Sequence, residues 1–201
     1  MTRVRRAGPG DVPEARTVLA AAFDASALMR WALPDAATRR DAIAAWLGPA
    51  LDRYVAVGRV DVVEDEDGIR AVAAWRLPRP VPEHPVLRSA PSGAGALAAL
   101  VGAERAARVL EVLGGSAAHA PDEPAAYLHF LAVRPDAQGG GLGSRLVRHA
   151  LAEHDAAGTT TWLCTADARN LPFYARLGYG VVGEVDLEGT ATLWALHRAA
   201  A

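Results

Sequence analysis

Apolar and polar positions recur along the chain with two periods, and the change from one to the other marks its elements. Val4-Arg5-Arg6 has the look of a short first strand. After Gly8-Pro9-Gly10 the spacing turns helical. Val18, Leu19, Ala22 and Phe23 supply an apolar face behind Asp11-Val12-Pro13-Glu14, an acidic start with proline in the first turn. Ile43, Trp46, Leu47, Leu51 and Tyr54 keep helical spacing through residues 37–57, where Pro49 is expected to kink or split the helix. Residues 59–64 and 69–75 then read as two strands. Asp65-Glu66-Asp67-Gly68 between them carries the Asp-Gly signal of a hairpin.

Residues 78–124 break this order. Pro78-Arg79-Pro80-Val81-Pro82-Glu83-His84-Pro85 suits neither the interior of a helix nor a central strand. A helix is expected around residues 104–113, with Ala107, Val109, Leu110 and Leu113 available for packing. The segment is too short to bury much alone, so it reads as an elaboration of one domain spanning residues 1–201. Tyr127-Leu128-His129-Phe130-Leu131-Ala132-Val133 is an apolar strand, followed by a glycine loop and an amphipathic helix starting near Leu142. Residues 160–166 form another strand, and a short helix after Arg169 is stopped by Gly178. Two closing strands lie near residues 181–185 and 191–196.

Composition narrows the chemistry. At 51% apolar residues the chain of 201 residues is globular. A formal net charge of -2 offers no basic surplus for a nucleic-acid backbone, so a nucleic-acid partner is not expected. No apolar run is long enough to span a bilayer, no apolar stretch follows the basic start, and a cytoplasmic location without membrane contact is expected. Cys164 is the single cysteine, which excludes an intrachain disulfide and a cysteine metal cluster. It reads as a buried structural thiol.

The glycine loop is Gln138-Gly139-Gly140-Gly141-Leu142-Gly143. Glycines admit positive φ, and the first amides of a helix lack internal partners and sit at the positive end of its dipole. Strand, glycine loop and helix together make an anion cradle suited to a phosphate. The spacing is not that of the nucleotide P-loop, since no Lys-Ser/Thr pair follows a second glycine, and the third glycine of the dinucleotide fingerprint is missing. A plain glycine turn is the competing reading. Gln138, Gly141 and Gly143 satisfy Q/R-x-x-G-x-G/A, and here the chain resembles the GNAT superfamily of N-acetyltransferases. That resemblance implies an α/β (α+β) acyl-CoA N-acyltransferase fold, with a central mixed, mostly antiparallel sheet flanked by helices. It also implies acetyl-CoA as cosubstrate, its pyrophosphate held by the amides of Gln138, Gly139, Gly140, Gly141, Leu142, Gly143 and Ser144, and no metal.

A second signature, Asn170-x-x-x-Tyr174-x-x-x-Gly178-Tyr179, places Asn170 and Tyr174 one helical turn apart. A helix cap and a core aromatic account for it by themselves. Beside the glycine loop it resembles the GNAT motif in which the Asn contacts CoA and the Tyr faces the thioester sulfur. Phe173 adjoins them. The likeness extends over most of the chain to the puromycin N-acetyltransferase branch, through Asp11-Val12-Pro13, Ala20-Ala21-Ala22-Phe23, Ala73-Ala74-Trp75 and Glu123-Pro124-Ala125. The strand around His129 is similar to that of arylalkylamine N-acetyltransferases, in which a His pair relays the amine proton; Tyr127 occupies the first His position here.

The implied reaction is acetyl transfer to a primary amine of a small molecule in a ternary complex. Such an amine is mostly protonated at neutral pH, so a base helps; an unperturbed imidazole, pKa about 6.5, suits that task. His129 is the candidate base, against a plain structural role in the sheet, with Glu64 and Glu123 as weaker candidates. Tyr174 is the candidate for protonating the departing thiolate, and Leu131, Ala132 and Val133 would offer backbone groups to the cosubstrate. Strand alternation predicts that residues 127, 129, 131 and 133 share a face. A non-catalytic acyl-CoA-binding module and an enzyme acting on protein amines remain alternatives on the same scaffold.

Overall fold

The computed structural model describes residues 2–89 and 91–201, the Val86 side chain aside; Met1, and Ala90 within the 78–124 segment, lie outside the described residues. The elements in chain order are β1 (Arg3–Arg6), α1 (Val12–Phe23), α2 (Ala27–Ala32), α3 (Arg39–Val57), β2 (Arg59–Asp65), β3 (Gly68–Arg76), α4 (Pro85–Ser89), α5 (Gly93–Val101), α6 (Ala103–Gly114), β4 (Ala126–Val133), α7 (Leu142–Ala156), β5 (Thr161–Thr165), α8 (Leu171–Ala175), β6 (Gly180–Asp186) and β7 (Thr192–Arg198). The strands form one sheet in the order β1-β2-β3-β4-β5-β7-β6. Every neighbouring pair is antiparallel except β4 with β5, which are parallel and joined through α7.

Each sheet face is covered by its own helices. Val62, Val72, Ala74, Phe130 and Ala132 pack against α1 and α3 through Val18, Leu19, Ile43 and Leu51. Ala71, Ala73, Trp75, Leu128, Leu163 and Leu196 pack against α7 through Leu146, Val147 and Ala150. The β2–β3 hairpin turns where the Asp-Gly signal stands, and Gly68 takes φ +102°, a conformation that a side chain would resist. At the other end of β2, the almost fully buried Arg59 donates to Asp61 at 2.5 Å and to Glu153 of α7 at 3.0 Å, tying helix to sheet. A buried charge of this kind is retained only with such partners.

Two expectations are corrected. Pro49 lies inside α3, which runs unbroken from Arg39 to Val57. The 78–124 segment holds three helices, α4 to α6; α4 begins on Pro85, where a proline costs the helix no hydrogen bond. Of these, α6 matches the helix expected around residues 104–113, and α5 packs on α3 through the fully buried Leu97. No helix among the described residues is long and apolar enough to cross a membrane.

Candidate active site

The parallel pair β4 and β5 sets up the site. Their ladder covers only Ala126 to Leu128 against Thr161 to Leu163. From His129 to Val133, β4 has no partner on β5, and Cys164 and Thr165 pair only with β7. The two strands therefore part toward their carboxyl ends and leave a wedge. A crevice outside the carboxyl ends of parallel strands is where α/β sheets receive ligands.

The glycine loop stands at the end of β4 where the wedge opens. The Gln138 side-chain amide donates to the Val133 carbonyl at 3.2 Å, folding the loop back on its strand. Gly139 and Gly141 take φ +81° and +76°, and Gly141 caps α7 in the left-handed conformation. A side chain at either would be strained, although the space around both is open. The first helical bond runs from the Arg145 amide to the Gly141 carbonyl. Among the described residues, no group accepts from the amides of Leu142, Gly143 or Ser144. These donors at the positive end of α7 have the chemistry to receive an anionic phosphate group. Gly143 lies against Val133, Leu131 and Phe173, whose nearest atoms are 3.5 to 3.9 Å from where its Cβ would stand. So the structure brings the loop, Leu131, Val133 and Phe173 together.

Tyr174 follows Phe173 on α8 and is 7% exposed. Its ring meets Phe173 edge-on at 4.9 Å and Tyr179 at 5.9 Å. Burial, with the Tyr179 hydroxyl nearby, raises its pKa above the ordinary value of 10. The phenol thus stays protonated and can donate a hydrogen bond. Asn170 directly precedes α8 as its N-cap, with φ -83° and ψ -16°. Asn170 closes a 3₁₀ turn before α8, is exposed, and its Nδ2 donates to Thr165 Oγ1 at 3.3 Å at the end of β5. That turn is set by Asp167, whose carboxylate accepts from the Arg169 amide.

His129 is not on the face that strict alternation predicts for residues 127 to 133. Ala74 stands opposite Phe130 while Trp75 stands opposite Leu128, so His129 is the extra residue of a β-bulge. The bulge turns the alternation over. Tyr127 and His129 face α3, whereas Leu131 and Val133 face α7. The rings of His129 and Phe130, consecutive in the chain, accordingly stack at 4.1 Å. His129 and Tyr174 thus approach the wedge from opposite faces of the sheet.

On the α3 face, Tyr54 Oη lies 2.8 Å from His129 Nδ1. If Nδ1 carries the proton and donates it to Tyr54, Nε2 is left as an acceptor, which is what a base requires. Tyr127 and Trp162 extend the aromatic lining, with centroids 4.4 Å apart. Protein atoms crowd His129 while its open side remains exposed to solvent. Loss of hydration, together with the Arg76 charge, lowers its pKa from 6.5 to about 4. Cys164 is half-buried and not sealed in the core, with the Tyr127 and Ser116 side chains near its sulfur. Burial raises its pKa, so it is a poor nucleophile. Glu64 is held in ion pairs by Arg3 and Arg5, and the Arg5 hydrogen bond lowers its pKa. Glu123 is likewise lowered, by a backbone hydrogen bond and by Thr160. Among the described residues no cluster could hold a metal ion.

Tyr54 and Trp162 were read from sequence as packing or strand residues only. No local signal marks Tyr54, because its partner lies 75 positions away.

Comparison with known proteins agrees with this geometry. The family described as "Acetyltransferase (GNAT) family" matches residues 69–179. Among solved structures, a Corynebacterium glutamicum protein described as histone acetyltransferase HPA2 and related acetyltransferase superposes with a TM-score of 0.66 at 24% identity, covering 100% of this chain and 97% of its own. Arylalkylamine N-acetyltransferase 2 from Aedes aegypti gives a TM-score of 0.66 at 12% identity, covering 100% and 99%. A GNAT family acetyltransferase from Brucella melitensis, solved in complex with acetyl-CoA, gives 0.52 at 18% identity, covering 97% and 86%.

Proposed function

The chain belongs to the GNAT acetyltransferase family, and from that premise we propose that it transfers the acetyl group of acetyl-CoA to a primary amine of a small molecule. The observation that carries the reading is the wedge between β4 and β5, with unpartnered amides of α7 at its mouth. The residues present suit the cosubstrate. The amides of Leu142, Gly143 and Ser144 would hold its pyrophosphate, Asn170 and Phe173 would flank it, and the backbone of residues 131–133 would line the rest. Bound there, acetyl-CoA supplies an activated acyl group on a thiol leaving group.

The chain's own residues handle protons and position. As the amine nitrogen bonds to the acetyl carbon and the carbon–sulfur bond breaks, one proton leaves nitrogen and one is needed at sulfur. His129 Nε2 takes the first and passes it to water on its open side. Tyr174 donates a hydrogen bond toward the sulfur, which leaves as a thiolate and takes its proton from water. The recess also helps before chemistry begins. Desolvation and the Arg76 charge, which lower the His129 pKa, lower the pKa of a bound ammonium as well. The amine is thereby delivered closer to its neutral form. The resemblance to the puromycin N-acetyltransferase branch supports a small-molecule acceptor, as does the aromatic lining beside His129.

His129 is neutral at physiological pH and loses its function as pH falls through its lowered pKa. The acid limb of kcat should therefore lie well below pH 6.5, toward 4 to 5. A base of low pKa pulls weakly, so His129→Gln should cost only about tenfold in kcat, below the usual ~10²–10⁴-fold for general bases. The kcat–pH profiles of wild type and variant test both points; a wild-type limb near 6.5 would refute the shielded-base assignment.

The reading is tested by titrating the purified protein calorimetrically with acetyl-CoA and with NAD, then following thiol release over a panel of amines. Saturable binding of acetyl-CoA alone, with amine-dependent thiol release, is expected. Binding without turnover on any amine would leave a binding module, and no binding would remove the reading altogether.

A further inference from the structure

The recess around His129 is aromatic, and its fixed charge is positive. Arg76 acts on the Tyr54, Tyr127 and His129 side chains alike, and Arg53 also acts on Tyr54. Arg76 ends β3, directly opposite Tyr127 in the ladder, and its guanidinium stands 5.2 Å from the Tyr127 ring centroid. Tyr127 is in turn 5.3 Å from the His129 ring. The cation–π contact orients Arg76, yet it occupies none of the guanidinium N–H donors. Among the described residues Arg76 makes no ion pair and no side-chain hydrogen bond, although it is exposed at the rim of the recess. It contrasts with Arg5, Arg59 and Arg198, each committed to a carboxylate.

A recess with Arg76 at its rim is a poor host for a polyamine or a lysine-rich peptide, because extra ammonium groups meet the guanidinium charge. An acceptor that carries its own anion fits. The guanidinium fork matches a carboxylate in geometry. Two steps of about 5 Å separate Arg76 from the His129 ring, a span that a short bifunctional molecule can bridge. The rings of Tyr127 and Trp162 offer apolar surface beside it.

Resting on the acetyltransferase reading, we infer that the acceptor is an amino acid with an apolar or aromatic side chain, its carboxylate held by Arg76 and its amine turned toward His129. The test compares L-phenylalanine with phenethylamine, which differ by the carboxylate alone, and adds a lysine-rich peptide. Acceptor binding is measured by calorimetry with CoA present, and turnover by thiol release from acetyl-CoA. Phenylalanine should be favoured over phenethylamine by about tenfold to a hundredfold in both readouts, the effect of a charge-assisted hydrogen-bond pair. Arg76→Gln should bring the two acceptors to parity, and the peptide should be the poorest of the three. Equal losses on both acceptors in Arg76→Gln would assign Arg76 a packing role and overturn the inference. So would wild-type preference for phenethylamine or the peptide, with the transferase reading intact. Arg76-dependent binding of phenylalanine without thiol release would uphold the acceptor class and sink the transferase reading instead.

Discussion

Tyr174→Phe is expected to lower kcat by about two to three orders of magnitude while acetyl-CoA binds as before. The substitution removes one oxygen and nothing else of consequence. The ring packs edge-on against Phe173 and Tyr179, and phenylalanine keeps both contacts. What is lost is a donor aimed at charge that develops on sulfur only as the thioester breaks. Removing such a preorganised donor from other active sites costs about 10²–10³ in kcat. The raised pKa of Tyr174 decides the form of its help. A phenol above its ordinary 10 does not give its proton outright to a thiolate, whose conjugate thiol has a pKa near 8.5. In the proposed reaction it would stabilise the leaving group by hydrogen bonding and remain a phenol. Calorimetry with acetyl-CoA and steady-state thiol release on the variant check this. Unchanged turnover would remove Tyr174 from the mechanism, and a parallel loss of binding would make it a structural residue.

Gly141→Asp should weaken the binding of acetyl-CoA, by up to about a thousandfold, with little damage to the fold. Gly141 stands at φ +76°, ψ 5°, a region that Asp and Asn tolerate better than other side chains, and a Cβ there meets nothing within 4 Å. The new carboxylate would face the phosphate cradle at the α7 N-terminus. Like charges about 4 Å apart repel by roughly 1 kcal/mol in water and roughly 4 kcal/mol near a protein surface. Affinity should therefore fall between about fivefold and about a thousandfold, with the loss easing at high salt. Gly141→Asn has the same shape without the charge and should retain most of the affinity. Titrations of the two variants side by side separate charge from shape. Equal losses would put the effect on close backbone approach, and wild-type affinity in Gly141→Asp would mean that the loop is a turn and no more.

Much of this arrangement could be read from residue order, because its determinants are local. Asp-Gly at 67–68 placed the β2–β3 turn, and the glycine loop with the apolar strand before it placed the start of α7. Two helices went unread although their caps were in plain view. The Ser26 hydroxyl accepts from the Met29 amide to open α2, and the Ser92 hydroxyl accepts from the Gly95 amide to open α5. The rest of α5 is Gly, Ala, Leu and Val, too uniformly apolar to show a periodic face. The bulge at His129 was illegible for a different reason. Period two presumes one residue against one across the ladder, and the strand's own letters do not announce where the partner skips. The Tyr54–His129 pair and the position of Arg76 depend on that bulge and on α3, so they appeared only in three dimensions. Pro49 shows the converse. Its local rule is sound, but the packing of Trp46, Leu47 and Leu51 on both sides of it keeps α3 whole.

The short β4–β5 ladder also makes the sheet a hinged pair of panels. Strands β1 to β4 form one panel and β5 to β7 the other; the backbone ladder joins them only at Ala126 to Leu128 across Thr161 to Leu163, and the core beneath α7 spans the seam through Leu128, Leu163 and Leu196. Beyond that seam, cohesion rests on what bridges it. A molecule seated in the wedge touches both panels at once. An occupant of the wedge is therefore expected to brace the two panels against each other as well as to present itself for reaction.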